Sequence, residues 1–276
     1  MTEATPNTLD FAAVDGLAFA AERGRLNGQA IPILSAQDIG PVFEFAQLAS
    51  SGLLPPIRDA PFVTLNGLDL MVQAMNGPVG QWFSPSDRTG LFRTSPSPPN
   101  ESIWTGFGLA AQQAATAAGF PRAIAAQLAA ALGELHSNIY EHAEAPDTGI
   151  IAFRASADRF EFVVADRGIG ILKSLNNAAA YAALADHGEA LRLALTDGIS
   201  RFGPDAGRGH GFRPLFIGLA NLNGMLRFRS GDHALLIDGR HPSLMTARTA
   251  QKPAIPGFFV SISCTVNRGG APKTQP

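Results

Sequence analysis

Phe162-Val163-Val164-Ala165-Asp166-Arg167-Gly168-Ile169-Gly170-Ile171 is the stretch on which the reading of this chain turns. Apolar, partly β-branched residues end in an acid, as expected of a buried strand that stops at Asp166. Gly168 and Gly170 then alternate with Ile169 and Ile171, where the backbone can take up φ > 0 or approach a ligand closely. A carboxylate at such a strand end can accept a hydrogen bond from an amino group. Taken alone, the stretch reads as an ordinary Asp-Gly turn. Working outward, Arg159–Ala165 and Ile150–Ser156 form two strands joined by a short turn at Ala157-Asp158, and Phe258–Cys264 is a last strand near the end of the chain.

Upstream, Pro121–Ala143 reads as a helix, with Pro121 near its start and an Ala- and Leu-rich run to Leu135. Glu134, Asn138 and His142 recur at i, i+4 and i+8, which sets them along one face. Leu132, Leu135 and Ile139 supply an apolar face beside it. Such a polar stripe is otherwise a solvated helix surface. Downstream, Gly207-Arg208-Gly209-His210-Gly211-Phe212 places three alternating glycines before a helix at Phe212–Leu222. Backbone N–H groups there suit an anion such as a polyphosphate. The spacing is not that of the dinucleotide-binding fingerprint, and no GxxxxGK[ST] loop occurs.

Composition narrows the classes. The chain has 276 residues, 46% hydrophobic and 16% charged, with a net charge of −2, so a buried core is expected. The charge gives no general reason to expect nucleic acid as a partner. Cys264 is the only cysteine, so an intrachain disulfide and a cysteine-cluster metal site are excluded. Neither a signal peptide nor a membrane span is visible, which points to the cytoplasm and no membrane partner.

In their order and spacing, the three stretches resemble the N-box, G1 box and G2 box of the GHKL ATPases, the superfamily of gyrase, heat-shock chaperone, histidine kinase and MutL. The resemblance spans about residues 105 to 265 and includes the strand Pro256-Gly257-Phe258-Phe259-Val260-Ser261-Ile262. Glu134-x3-Asn138-x3-His142 is closest to the N-box of bacterial anti-sigma-factor serine kinases. The resemblance implies a Bergerat fold, a two-layer α/β sandwich in which a mixed sheet is covered on one face by helices. It further implies that ATP and Mg2+ bind, with Asn138 on the metal and Asp166 on the adenine amino group. Gly168 and Gly170 would lie against the base. Gly207, Arg208, Gly209 and Gly211 would wrap the phosphates in a lid that takes in the looser segment 171–206. Glu134 would activate water or a protein hydroxyl. His142, Lys173 and His210 are further residues near the implied phosphate side.

The expected organisation is a small α/β domain over 1–93 for sensing or partner docking, a linker at 94–103 rich in Pro and Ser, the ATP-binding domain at 104–266, and a tail at 267–276. Helices are expected at Phe11–Arg25, Ile39–Ser51, Leu68–Met75 and Gly108–Ala118, strands at Ala30–Leu34 and Pro61–Leu65, and a hairpin turning at Gly231-Asp232-His233. No histidine precedes His136 in this sequence, which argues against a phosphoacceptor histidine ahead of the ATP domain. The leading function is a regulatory ATPase or protein serine kinase with a regulatory protein partner. The alternative is a non-catalytic module that switches partner affinity when ATP closes the lid. A gyrase-like energy-transducing machine ranks below both, because no transducer-sized segment follows residue 265. A homodimer is left open.

Overall fold

The computed structural model describes residues 7–26, 34–59, 62–64, 68–195, 224–238 and 248–266. Two short strands, β1 (Asn7–Thr8) and β2 (Leu34–Ala36), and a third, β3 (Phe62–Thr64), form a parallel sheet in the order β1-β2-β3. Parallel neighbours need crossovers, and the helices α1 (Phe11–Glu22) and α2 (Ile39–Ser50) supply them. Asp10 starts α1 by accepting a hydrogen bond from the Ala13 N–H at 2.8 Å. The small α/β unit expected from the strand and helix pattern at the front of the chain is present. A third helix, α3 (Leu68–Met75), follows it.

The main body is a six-stranded sheet. Its strands are β4 (Gly80–Phe83), β5 (Thr89–Arg93), β6 (Ile150–Ala155), β7 (Arg159–Ala165), β8 (Met225–Asp238) and β9 (Arg248–Thr265). They run in the order β4-β5-β6-β7-β9-β8, and every neighbouring pair is antiparallel, so the sheet is not the mixed one expected. Of the segment 94–103 expected as a linker, only residues 94–100 lie between β5 and the helix α4 (Glu101–Ala117), residues 101–103 being the first turn of that helix, and β5 pairs with β6 on its far side. Thr94 is buried at the start of that segment, with its N–H on the Gly149 carbonyl at 3.0 Å. Helix α4 begins seven residues before the expected Gly108, because Asn100 caps it and its two interior glycines do not interrupt it.

Helix α5 (Arg122–His142) packs with α4 on one face of the sheet. Phe153, Phe160, Phe162, Val164, Phe228, Val260 and Ile262 meet Leu128, Leu132, Leu135 and Ile139 in a single apolar cluster. The intervening residues Ala152, Val163, Ala165 and Phe259 point the other way and meet Val42, Phe45 and Leu48 of α2. Burial on both faces explains why these strands read as continuous apolar runs rather than as alternation. The two-layer α/β sandwich is present, and α1 and α2 cover its second face as a third layer.

Two expectations are corrected within the main body. Gly231-Asp232-His233 is not a hairpin turn: β8 runs straight through it and pairs with β9 along its length. Gly231, at φ +57°, marks a bulge where the ladder jumps from Ser230↔Phe258 to Gly231↔Ile255. The segment after Gly170, expected to be loose, carries α6 (Gly170–Asn176) and α7 (His187–Ala194). Ala190, Leu191 and Ala194 fill the main core, so apolar burial orders it. The helix expected at Phe212–Leu222, the remainder of the lid and the tail 267–276 lie outside the described residues. Among the described residues, no helix is long and apolar enough to cross a membrane.

Candidate functional site

β7 ends at Ala165, and the next residue, Asp166, is held at the sheet end by its N–H on the Phe258 carbonyl of β9 at 3.0 Å. Its side chain is 1% exposed. One carboxylate oxygen, Oδ1, accepts the Gly168 N–H at 2.7 Å. The other, Oδ2, is buried without a partner among the described residues. A buried acceptor without a donor is costly. Burial pushes the carboxyl up to about 7, against the lowering pull of the Gly168 and Phe258 backbone.

The turn that follows is locked against three elements. A Cβ at Gly168 would collide with the carbonyl of Ala143, at the end of α5, and the Ile169 N–H donates to that same carbonyl at 2.9 Å. Gly170 has φ +75°, and a Cβ there would lie 2.8 Å from Ser230 Oγ and 3.0 Å from the Gly257 carbonyl. Both glycines therefore serve close approach of the turn to its own chain, to α5 on one side and to β8 and β9 on the other. The Arg167 N–H donates to Thr148 Oγ1 at 2.9 Å, and the Ile171 N–H to Ser230 Oγ at 2.9 Å.

The end of α5 thus abuts the Asp166 turn, and the polar stripe of that helix runs back from it. Asn138 is half-buried and lies five residues before Ala143, about 7.5 Å along the axis at the usual helical rise. Glu134 is exposed one turn further back. His142 faces α6, with Nδ1 3.4 Å from Ser174 Oγ. Lys173 is exposed on α6. Leu132, Leu135 and Ile139 are fully buried, as the apolar face of the stripe requires. Gly207, Arg208, Gly209, His210 and Gly211 lie outside the described residues.

His136, on the same helix, is 5% exposed and stacks on Trp104 with ring centroids 3.5 Å apart. Burial lowers its pKa to about 4, so the ring is neutral. Asn138 is the one neutral amide on the stripe, and an amide oxygen is a hard ligand suited to magnesium. No cluster of three or more His, Cys, Asp or Glu side chains able to hold a metal occurs among the described residues.

Four residues of this region, Gln47, Ser230, Pro256 and Gly257, receive no site role from the motifs. Pro256 and Gly257 are the two extra residues of the β9 bulge opposite Ser230 and Gly231, and Gly257 takes φ +64°. Their carbonyls have left the ladder and are taken by side chains: Ser230 Oγ donates to Gly257 at 2.8 Å, and Gln47 Nε2 of α2 donates to Pro256 at 2.9 Å. The Pro-Gly pair inside an apolar strand was the available signal for a bulge. Nothing in the sequence around Gln47 marks it.

A separate cavity of about 280 Å³ lies between α2, α3 and the ends of β5 and β6, lined among others by Phe43, Gln47, Met75, Arg93, Thr148 and Arg167. Neither Asn138 nor Asp166 lines it, so the nucleotide reading rests on the turn geometry and not on this cavity.

Comparison with known families matches residues 104–209 to the histidine kinase-like ATPase domain. No curated protein and no solved structure matches the chain.

Proposed function

From the match of residues 104–209 to the histidine kinase-like ATPase domain, we propose that the chain binds Mg-ATP and acts as a regulatory ATPase or protein serine kinase. The observation that carries the reading is the buried, unpartnered Oδ2 of Asp166 at the end of β7. It matches a purine amino group, a neutral donor that satisfies the oxygen without adding charge to the site. Asn138 would offer an amide oxygen to magnesium, which would supply charge neutralisation at the phosphates. Glu134, exposed on the same stripe, orients and deprotonates the attacking hydroxyl, of water or of a partner's serine. Positioning and charge neutralisation carry most of the rate in phosphoryl transfer, with general-base help of about 10²–10⁴-fold. The resemblance assigns Gly207, Arg208, Gly209 and Gly211 to the phosphates, and His142, Lys173 and His210 to the same side.

The nucleotide-binding unit takes in β4 and β5 and begins near Gly80, ahead of the 94–103 segment, since both strands belong to its sheet. Residues before that form the unit that meets a regulatory protein in the cytoplasm. The deciding experiment is Glu134→Ala. Phosphate release or transfer is expected to fall about 10²–10⁴-fold while calorimetry shows ATP still bound. A wild-type chain that binds ATP but releases and transfers no phosphate with any candidate partner would favour the non-catalytic switch.

A further inference from the structure

We propose that Gln47 is a positioning residue for the nucleotide, through which the N-terminal unit holds Asp166 in its adenine-accepting place; the inference rests on the ATP reading above. Gln47 sits on α2, 119 residues before Asp166, and is 6% exposed. Its carboxamide Nε2 donates twice, to the Asp166 carbonyl at 2.5 Å and to the Pro256 carbonyl at 2.9 Å. These two carbonyls belong to the strand end that carries the acid and to the bulge beside it. The Asp166 N–H is already spent on Phe258, and the side-chain Oδ1 on Gly168. Gln47 therefore completes the set of bonds that fixes the Asp166 backbone, and so the direction in which Oδ2 faces.

Backbone carbonyls at a sheet end that lack ladder partners must be satisfied in some other way when buried. Water would satisfy them without fixing their separation. One side-chain amide spanning both ties β7 to β9 at a set distance, and it comes from a helix outside the matched domain. Gly257, against which a Cβ would collide with both the carbonyl and the carboxylate of Asp166, leaves no slack on the other side of the acid. Removing the amide frees the turn to move away from α2. Because coupling between two binding events is reciprocal, nucleotide on Asp166 also tightens the docking of α2.

The readout is nucleobase preference, since adenine offers a 6-amino donor to Oδ2 and guanine a 6-oxo acceptor. In the full chain, Gln47→Leu and Gln47→Glu are each expected to lower the ATP-over-GTP affinity ratio about tenfold, the worth of one well-placed hydrogen bond. Leu removes the donor, and Glu keeps the length but places an acceptor against two carbonyls, so either variant suffices if the other does not fold. Combined with Asp166→Asn, neither should lower the ratio further, because the two act on one contact. Val42→Ala, a buried change elsewhere on α2, should lower stability and leave the ratio alone. A folded Gln47 variant that keeps the wild-type ratio, or a Val42→Ala chain that loses it equally, overturns the inference. Failure of the wild type to bind ATP would instead overturn the nucleotide reading.

Discussion

The two faces of the six-stranded sheet are covered by different chemistry. Under α4 and α5, Phe153, Phe160, Phe162 and Phe228 pack into an apolar cluster. Under α1 and α2, the same strands present Arg154, Glu161, Arg227 and Arg229, all buried. Glu44 of α2, completely buried, binds Arg227 through both oxygens at 2.6 and 2.7 Å and also pairs with Arg229. Asp15 of α1 joins Arg227 at 2.6 Å and Lys252 at 2.7 Å. Burial alone would lower the Arg227 pKa, but Glu44 and Asp15 more than offset it and hold the guanidinium charged. Apolar contact is non-directional and accepts any partner of the right shape. Buried charge accepts only a partner that brings the opposite charge to the same place. The first face therefore holds the main body together, and on the second the charges, set beside an apolar cluster, specify which helices cover it.

The comparison breaks hardest on the apolar side. Phe162→Ala is expected to cost about 3–5 kcal/mol in a denaturant titration, because Phe162 is fully buried among the aromatic and Leu side chains under α5. On the charged side, Glu44→Ala is expected to cost about 3 kcal/mol, by leaving two buried guanidinium groups facing each other. The sharper arm replaces all three, with Glu44→Leu, Arg227→Leu and Arg229→Met. That chain should recover at least the loss, since apolar groups of similar size need no compensation. A triple variant as unstable as Glu44→Ala would mean that shape, not charge pairing, decides what covers this face.

The pH dependence probes the seam between the faces, where Asp166 sits. Burial raises its carboxyl to about 7, so the folded chain binds a proton there that the unfolded chain has released. This group's contribution to stability is therefore lost as pH rises through that window. ATP affinity runs the opposite way, because the ionised oxygen is the better acceptor for the adenine amino group. Affinity measured by calorimetry should fall as pH drops below about 7, approaching tenfold per pH unit, and Asp166→Asn should flatten the profile. The smallest effect lies at the rim of the charged face. Arg159 meets Asp38 at 2.9 Å with both side chains about a third exposed. Asp38→Asn should cost under about 1 kcal/mol, and less in high salt.

Local sequence carried the helices and strands that flank the turn. The apolar runs expected at Ile150–Ser156, Arg159–Ala165 and Phe258–Cys264 lie on the strands Ile150–Ala155, Arg159–Ala165 and Arg248–Thr265, and Pro121–Ala143 holds the helix Arg122–His142 with Leu132, Leu135 and Ile139 inside. The small front unit was legible as strand and helix in alternation. The antiparallel order was not, because β5 and β6 are neighbours separated in sequence by two helices. Gly231-Asp232-His233 misled for a local reason: glycine supplies φ > 0 to a bulge as readily as to a turn. Around the candidate site, the strand end at Asp166 and the glycine turn after it were legible from local sequence. Gln47, Ser230 and Gly257 were not, since each acts on a carbonyl or a clearance that exists only once three distant segments meet.

What the sequence determined by itself was the strand, turn and helix that flank Asp166 and the match of residues 104–209 to the histidine kinase-like ATPase domain, because such signals act over a few residues. Only the tertiary structure decided that an N-terminal helix closes the second face of the sheet and reaches the Asp166 backbone. Buried charge pairs and orphaned carbonyls are satisfied across space, between residues whose separation along the chain carries no trace of their contact.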